Sequence, residues 1–401
     1  MLPYAQALET ILELPFELGR EKIPTATAGG RWLAEPLRAP FAQPRFDNSA
    51  MDGVALRSGD VPGVPATLPL AGESAAGRRF PGVVPPGHAI RISTGAVVPL
   101  ELDCIVPIEE VHLDGDSVTM RSAPRPGAHR RVMGSDVAEG SIAIPTGRAL
   151  TAADVAFAAS FNVAELEVLA RPRVGILTSG DEIRLLGEAL GPDDIVGSSI
   201  YYLEEELRRC GCEPRFFGVA RDDADDFAAR FGEMLAWADV LITTAGVSVG
   251  AHDVVGEVIQ RFGGRVHFWK VAVRPGKPML VASYGTKHHF GFPGNPVSTC
   301  CNTEIFLKPF LRRAFGSASP VATPWMLPLA VDCPRDVARL FFVQARFEAS
   351  SGARVIRPLP NQNSGNLSLC AASDALIIVE PGIGTIPAGT VVPVLPISQG
   401  L

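Results

Sequence analysis

Three short apolar runs of the chain each pass directly into a loop of small polar residues and glycine. The loops are residues 178–182 (TSGDE), 243–250 (TTAGVSVG) and 293–296 (PGNP). A buried parallel strand passes into a polar loop in this way at its carboxyl end. Ligands of open α/β sheets sit outside those ends, where backbone N–H groups and helix N-termini converge. The three loops together predict a site for a ligand that carries an oxyanion, although an ordinary strand-to-helix turn explains any single loop equally well.

Charged side chains of both signs fall at the same predicted edge. They are the carboxylates Glu182, Asp222 and Asp253 and the cations Lys270, Arg274 and Lys277. Carboxylates that share a site with anions usually hold Mg²⁺ or take up a proton. Lysine and arginine beside glycine-rich loops suit phosphate or another oxyanion. This combination favours phosphoryl or nucleotidyl chemistry over hydride transfer, and neither GxGxxG nor GxxxxGK[ST] occurs in the chain.

The elements that must position these residues follow from periodicity. Strand and helix patterns alternate from about 171 to 316, which predicts a doubly wound, mostly parallel sheet. Proline and glycine crowd residues 36–147, where a β-rich region with many turns is expected. Only strand patterns follow residue 319, which indicates a small β-barrel or sandwich. The spacing of apolar residues predicts one amphipathic helix over residues 3–19, with Pro15 near its end.

The composition of the chain argues against several classes of protein function. The formal charge of −7 argues against a nucleic-acid surface, and no apolar run approaches the roughly 20 residues that span a bilayer. Glu9 and Glu13 interrupt the segment where a signal peptide would be apolar, so a cytoplasmic location is expected. The seven cysteines form no CxxC pair. They are interpreted as reduced, mostly buried thiols rather than as zinc ligands.

Seven stretches of the chain carry a resemblance to a known family. In order they are FDNSAMDGVAL, STGA, LTSGDE, GVARDD, AGVSVGAHD, FWKVAVRPGKP and GFPGNPVS. Each stretch alone is weakly specific, but their order and approximate spacing closely resemble the molybdopterin molybdenumtransferases, which are the MoeA-like enzymes related to the C-terminal domain of gephyrin. The resemblance covers nearly the whole chain.

The resemblance implies a multidomain α/β protein. Its parts would be an elongated N-terminal segment (residues 1–43 and 141–170), an inserted β-rich domain (44–140), a central molybdopterin-binding-like α/β domain (171–318) and a C-terminal β-barrel (319–401). It also implies a homodimer whose active site lies between the α/β domain of one subunit and the inserted domain of the other.

The activity that the resemblance implies is the insertion of molybdate into adenylylated molybdopterin. Cleavage of the phosphoanhydride would use a divalent cation, normally Mg²⁺, and would release AMP. The upstream partner would be a molybdopterin adenylyltransferase. Such a reaction needs fixed cations, because two anions must be held together against their repulsion.

The resemblance carries site residues onto this sequence. Asp52, Thr94, Arg131 and Asp136 would come from the partner's inserted domain. The carboxylates Asp52, Glu182, Asp222 and Asp253 would act with Lys270 and Lys277 in catalysis. Of these carboxylates, Glu182, Asp222 and Asp253 would also be the Mg²⁺ ligands. The remaining substrate contacts would be Ser179, Gly180, Gly246, Ser248, Gly250, Arg274, Pro293, Gly294, Asn295, Pro296, Ser298 and Ser368. Arg274 and Lys277, with Ser298 and Ser368, would form the molybdate pocket.

Four positions depart from the family pattern. Ala245 replaces the usual first glycine of GGVSVG, and its methyl group is expected to be tolerable only at negative φ. Ala251 replaces a frequent acidic residue. Arg274 replaces a usual lysine and presents a planar fork instead of a point charge. Gln344 stands where an arginine near the anion pocket is expected.

These departures keep alternatives open. One is a paralogue that takes tungstate, and another is a catalytically weak scaffold or binding protein, as the relationship to gephyrin permits. A third is the related molybdopterin adenylyltransferase, which shares a similar α/β domain. The inserted and C-terminal β regions count against that third alternative, because such adenylyltransferases are generally the α/β domain alone.

Overall fold

The chain folds as two compact units. The computed structural model describes residues 1–221, 223–246, 254–350 and 352–397. The first unit comprises Met1–Ala34, Thr146–Thr151 and Glu165–Leu401, and the second comprises Glu35–Pro145 and Ala152–Ala164. Five positions singled out in the sequence lie outside the described residues: Asp222, Ser248, Gly250, Ala251 and Asp253.

Eight α-helices occur among the described residues. The α-helices are α1 (Tyr4–Leu12), α2 (Ala152–Ser160), α3 (Ser198–Arg209), α4 (Ala224–Trp237), α5 (Val254–Arg261), α6 (Pro296–Asn302), α7 (Lys308–Ala314) and α8 (Leu367–Ala371). A π-helical turn, Thr303–Leu307, joins α6 to α7. Helix α1 ends well before the predicted residue 19, because Pro15 has no N–H and disfavours helical geometry at the residue before it. No described helix is long and apolar enough to span a membrane.

The strands are numbered in chain order. Up to residue 144 they are β1 (Arg20–Pro24), β2 (Leu37–Arg38), β3 (Asn48–Ser49), β4 (Gly53–Leu56), β5 (Ala66–Ser74), β6 (Ala89–Ile92), β7 (Cys104–Pro107), β8 (Val111–Asp114), β9 (Ser117–Met120), β10 (Arg130–Arg131) and β11 (Ile142–Ile144). To residue 292 they are β12 (Glu165–Leu169), β13 (Arg173–Ser179), β14 (Ile183–Arg184), β15 (Ile195–Val196), β16 (Glu213–Ala220), β17 (Val240–Thr244), β18 (Arg265–Trp269), β19 (Val273–Arg274), β20 (Leu280–Tyr284) and β21 (Lys287–Phe292). The last are β22 (Trp325–Pro328), β23 (Cys333–Pro334), β24 (Leu340–Ser350), β25 (Ala353–Pro358), β26 (Ala375–Val379), β27 (Thr385–Ile386) and β28 (Val391–Pro396).

A six-stranded sheet forms the centre of the first unit. Its order is β16-β13-β17-β21-β20-β18. The pairs β13/β16, β13/β17 and β17/β21 are parallel, whereas β20 is antiparallel to both of its neighbours. The carboxyl ends of β13, β16, β17, β18 and β21 therefore share one edge of the sheet. The prediction of a doubly wound, mostly parallel sheet is confirmed.

Alternate strand residues build a core on each face of this sheet. Ile176 and Ile242 belong to the core that contains residues of α1, α3, α6 and α7. Leu177 and Leu241 belong to the core that contains residues of α4 and α5. Burial on both faces explains why these strands read as continuous apolar runs.

The C-terminal strands close into a small barrel, as the sequence predicts. Neighbouring strands follow the order β22-β28-β26-β24, and β25 pairs with the distal half of β24. A parallel bridge between Leu329 and Ile356 connects the end of β22 back to β25. On the free side of β24, the short strand β19 pairs through Val273 and Arg274. The barrel is therefore joined directly to the Arg274 segment.

The second unit is β-rich. Its largest sheet has the order β7-β4-β6-β5-β9-β8, and two small ladders, β3/β10 and β2/β11, accompany it. Val54 and Leu56 lie in one of its apolar cores, and Ala55 lies in the other. The prediction of an inserted β-rich region is confirmed by these strands.

Candidate functional site

The first unit contains a cavity of about 720 Å³ between the α/β sheet and the barrel. Its lining residues come from three segments and one arginine: Arg274, Pro275, Gly276, Lys277, Pro278, Pro293, Asn295, Ser298, Arg339, Asn361, Gln362, Asn363 and Ser364. Three cations and several amide or hydroxyl donors belong to this set, and none of the described residues that line the cavity is a carboxylate. Such a lining suits an oxyanion.

The segment that carries Arg274 and Lys277 has a fixed backbone. Gly276 has a φ of +94°, and a Cβ at this position would stand 2.2 Å from Asn302 Oδ1. The amide of buried Asn302 donates to the Gly276 carbonyl at 3.4 Å. Only glycine fits here, because both the left-handed backbone and the close approach exclude a side chain. The glycine between the two predicted cations thus sets their relative placement.

The start of α6 forms a second wall of the cavity. Pro293 and Asn295 line it, and so does Ser298, which is buried. Asn295 Nδ2 donates to Ser364 Oγ at 3.1 Å, and the Val297 backbone N–H donates to the Ser364 carbonyl, also at 3.1 Å. This wall is therefore hydrogen-bonded to the barrel loop opposite.

The barrel loop itself was missed by the sequence reasoning. Asn361, Gln362, Asn363 and Ser364 all line the cavity, and Asn361 has a left-handed φ of +55°. The available signal was the run NQNSGN between two strand patterns, whose composition is typical of a turn with free hydrogen-bonding groups.

Arg339 is a third cation of the cavity that the sequence reasoning missed. Its Nη2 donates to Asp336 Oδ2 at 2.8 Å, and Arg274 Nη1 donates to the same oxygen at 3.3 Å. Burial by itself raises the pKa of Asp336. The hydrogen bonds from Arg339 and from the backbone N–H of Ala338 outweigh that effect and lower this pKa to about 2. Asp336 is therefore ionised at neutral pH.

Gln344 leaves its position on β24 uncharged. It is 1% exposed. Its backbone N–H donates to Gln362 Oε1 at 2.9 Å, and Gln362 Nε2 donates back to the Gln344 carbonyl at 2.9 Å. Within the part of the chain that the structure describes, the side-chain Oε1 of Gln344 has no hydrogen-bond partner. The residue thus fixes Gln362, which lines the cavity, and adds no cation.

The loops at the ends of β13 and β17 meet at the sheet edge. Ser179 is buried, and its Oγ lies 3.3 Å from where a Cβ on Gly246 would stand. The carboxylate of exposed Glu182 folds back over Gly180, whose φ is +139°, with Oε2 2.6 Å from a Cβ built there. These predicted site residues are brought together, although they do not line the 720 Å³ cavity.

Ala245 corrects one expectation. Its φ is +68°, so the inference that a methyl group requires negative φ here is wrong. The backbone is held by a hydrogen bond from Ala245 N to the Phe292 carbonyl at 3.1 Å. Its Cβ lies 3.3 Å from the position that a Cβ on Gly294 would occupy. The loop keeps the glycine-type conformation, and the left-handed alanine costs roughly 1–2 kcal/mol.

Four other predicted residues of the first unit are not among those that line the cavity: Gly294, Pro296, Lys270 and Ser368. Lys270 follows β18 at the same sheet edge, is half-buried and has a φ of +81°. Its backbone N–H donates to the Met279 carbonyl at 2.9 Å. Ser368, on the exposed side of α8, donates from its hydroxyl to Asn366 Oδ1 at 2.6 Å.

In the second unit, the structure brings Asp52 and Thr94 together. Asp52 Oδ1 accepts hydrogen bonds from the Thr94 backbone N–H at 2.7 Å and from its hydroxyl at 3.0 Å. Arg131 lies on β10 opposite Asn48. Arg131 and Asp136 are both exposed. All four predicted residues of this unit are thus present on its surface.

The described residues do not assemble the implied magnesium site. Among residues 1–221, 223–246, 254–350 and 352–397, no three His, Cys, Asp or Glu side chains come together as a metal site. Of the three implied ligands, only Glu182 is described, because Asp222 and Asp253 lie outside these ranges.

Comparison with known protein families identifies the class of protein to which this chain belongs. Residues 2–162 match the family described as MoeA N-terminal region (domain I and II), residues 175–313 match the probable molybdopterin binding domain, and residues 326–397 match the MoeA C-terminal region (domain IV). The protein thus has the MoeA architecture. A crystal structure of the molybdopterin biosynthesis moeA protein from Pyrococcus horikoshii is similar over 99% of this chain and 100% of its own, with a TM-score of 0.86 and 26% identity.

Curated relatives define the family. A molybdopterin molybdenumtransferase from Haemophilus influenzae is 31% identical over 403 residues, which cover 100% of this chain and 99% of its own. One from Synechococcus elongatus is 35% identical over 411 residues, with coverage of 98% and 99%. The chain belongs to the molybdopterin molybdenumtransferases, a family of transferases of molybdenum cofactor biosynthesis.

Proposed function

We propose that this protein inserts molybdate into adenylylated molybdopterin, with cleavage of the phosphoanhydride and release of AMP. The observation that carries the proposal is the lining of the 720 Å³ cavity, which includes Arg274, Lys277 and Arg339 and, among the residues that the structure describes, no carboxylate. A tetrahedral dianion enters such a cavity because fixed cations offset its repulsion from the anionic pterin substrate.

The polar groups of the cavity act by positioning the oxyanion. The amides of Asn361, Gln362 and Asn363 and the hydroxyls of Ser298 and Ser364 are uncharged partners around the three cations. Ser364 is held by Asn295, and Gln362 is held by the Gln344 backbone, so these two groups should need little reorganisation when the oxyanion binds. Ser368 and Lys270 stay proposed substrate and catalytic contacts, together with the loop residues Ser179, Gly180, Gly246, Gly294 and Pro296.

The carboxylates at the strand edge would act on the anhydride. Glu182 is exposed at this edge, and Asp222 and Asp253 are its proposed partners. Mg²⁺ bound there would supply charge neutralisation for the leaving phosphate. Chelation of divalent cations is therefore expected to abolish AMP release.

A homodimer would complete the site. In this arrangement Asp52, Thr94, Arg131 and Asp136 of one subunit face the α/β domain of the other, and the substrate arrives from a molybdopterin adenylyltransferase. The exposure of these four residues supports the arrangement.

We also propose a cytoplasmic location for the protein, because all seven cysteines are free thiols. The four-part division at residues 43, 140, 170 and 318 also stays a proposal.

The test is AMP release from adenylylated molybdopterin with Mg²⁺, in the presence and absence of molybdate. Wild type is expected to release AMP in a molybdate-dependent way, and Lys277→Ala to lose this dependence. Lys22→Ala is the matched control, because Lys22 is an exposed lysine on β1 that does not line the cavity. Release that responds only to tungstate would change the oxyanion assignment. Tight binding without AMP release under either anion would overturn the enzymatic proposal.

A further inference from the structure

Asp336 connects two arginines at the cavity wall. It is 8% exposed. Its Oδ1 accepts from the backbone N–H groups of Ala338 at 3.1 Å and Arg339 at 3.0 Å, and from Arg339 Nε at 3.4 Å. Its Oδ2 accepts from Arg339 Nη2 and from Arg274 Nη1. One carboxylate therefore holds both guanidinium groups and the turn that carries it.

Arg274 is held from a second side. Its guanidinium carbon lies 4.4 Å from the centre of the Phe341 ring, and Phe341 is also its partner in the β19/β24 pairing. A planar guanidinium can stack on an aromatic ring and donate along its edge at the same time, which an ammonium group cannot do. The arginine at this position is therefore immobilised by both the ring and Asp336.

The two arginines and the carboxylate leave one net positive charge beside the cavity. Lys277 adds a second positive charge, while Gln344 adds none. The third cation of the cavity lining, Arg339, comes from the Asp336 turn.

We infer that Asp336 is a positioning residue for oxyanion binding, which aims Arg274 and Arg339 at one tetrahedral dianion in the cavity. This inference rests on the proposed function for the identity of the dianion. It assigns the recognition of the oxyanion to a two-arginine clamp on one carboxylate. Lys277 then acts as a separate point charge.

The test is Asp336→Asn in the full-length chain. An asparagine Oδ1 can still accept from the backbone N–H groups of Ala338 and Arg339, so the turn is kept. The change removes the charge and the acceptor that the two guanidinium groups share. Glu348→Gln is the matched control, because Glu348 likewise accepts from two arginines, Arg346 and Arg357, and does not line the cavity.

The expected result is a rise of about tenfold in KM for molybdate with kcat within about twofold, since lost ground-state binding raises KM alone. The loss of tungstate affinity in calorimetry should match it. Arg339→Gln should have a similar effect. The double variant should lose less than the product of the two single losses, because both remove the same clamp.

An unchanged KM and unchanged tungstate affinity in Asp336→Asn, with active wild type, would overturn the positioning role and leave the proposed function standing. A wild-type protein that binds tungstate but releases no AMP would instead refute the proposed function. In that case the calorimetric comparison of Asp336→Asn with Glu348→Gln still decides the inference. Equal losses in both variants would also overturn it.

Discussion

Two ion clusters in the first unit have opposite compositions. In one, Lys308 is fully buried and its Nζ lies 2.5 Å from a Glu206 oxygen and 2.6 Å from Glu304 Oε1. In the other, Asp336 joins Arg274 and Arg339. The first has one cation for two carboxylates, and the second has one carboxylate for two cations.

The difference lies in what surrounds each cluster. The three side chains of the Lys308 cluster lie among α3, the π-helical turn and α7 and are at most 10% exposed, so we term it the sealed cluster. The Asp336 cluster borders a cavity, and the side chains of Arg274 and Arg339 are 40% and 30% exposed. A sealed cluster can affect only stability, whereas an open one has charge left over for a ligand.

The largest expected effect is on the sealed cluster. Lys308→Met leaves two buried carboxylates without their cation, and the free energy of unfolding should fall by about 3–5 kcal/mol. Urea denaturation followed by circular dichroism measures the loss. Replacing Lys308, Glu206 and Glu304 together by leucine should recover most of it, because no buried charge then remains. A loss below about 1 kcal/mol in Lys308→Met would contradict this account of the core cluster.

A substitution in the open Asp336 cluster should reduce activity strongly and stability only slightly. Arg274→Gln removes a partly exposed cation, so stability should change by less than about 1 kcal/mol. Molybdate-dependent AMP release should fall by about 10- to 100-fold in kcat/KM, because the cavity loses one of its fixed charges. Steady-state kinetics and a melting curve on the same sample check both statements. A melting point that falls as far as that of Lys308→Met would erase the distinction between the clusters.

The contributions of the two clusters to stability should also depend on pH over different ranges. Burial raises the pKa of Glu304, although Lys308 opposes this, so the folded protein binds its proton at higher pH than the unfolded chain. Stability from this group is then lost as pH rises through the folded pKa, by up to about 1.4 kcal/mol per pH unit. Asp336, with its pKa lowered to about 2, contributes stability that is lost as pH falls from about 4 towards 2.

Unfolding free energies across pH 3–8 separate these contributions. Relative to Glu304→Gln, wild type should become less stable as pH rises from about 4.5, while Asp336→Asn should track wild type over that range and differ below pH 4. Parallel curves for wild type and Glu304→Gln would remove the case for a raised pKa at Glu304.

The smallest expected effect is a change in the free energy of unfolding that involves no charged group. Ala245→Gly relieves the left-handed alanine, and the gain is partly offset by the greater freedom of glycine in the unfolded chain. A net stabilisation of about 0.5–1 kcal/mol is expected from the midpoint of urea unfolding. Destabilisation would mean that the methyl contact with Gly294 outweighs the backbone strain.

The sheet edge and several cavity residues were predictable from sequence because they follow strands directly. Pro293, Asn295 and Ser298 come after β21, and parallel strands bring such loops to one edge. Arg339 and the 361–364 loop were not predictable in the same way. Their place depends on how the barrel joins β19 through β24, which is a long-range pairing that no local pattern encodes.

The φ of Ala245 shows a second limit of sequence reasoning. Residue type predicted negative φ, but the loop geometry between β17 and β21 overrides that preference, as the hydrogen bond to Phe292 shows. Where the ends of two strands must meet, tertiary contacts therefore determine the backbone conformation, even against the preference of the residue type.

The π-helical turn Thr303–Leu307 determines how far the side chains of α7 are rotated about the helix axis relative to those of α6. Ser298 at one end lines the cavity, and Lys308 at the other end enters the sealed cluster. Each residue advances an α-helix by about 100°, so deleting one residue within the turn would rotate one end by that angle against the other. Insertions and deletions in this stretch are therefore incompatible with keeping both the serine in the cavity and the lysine in the core, even where every individual side chain is retained.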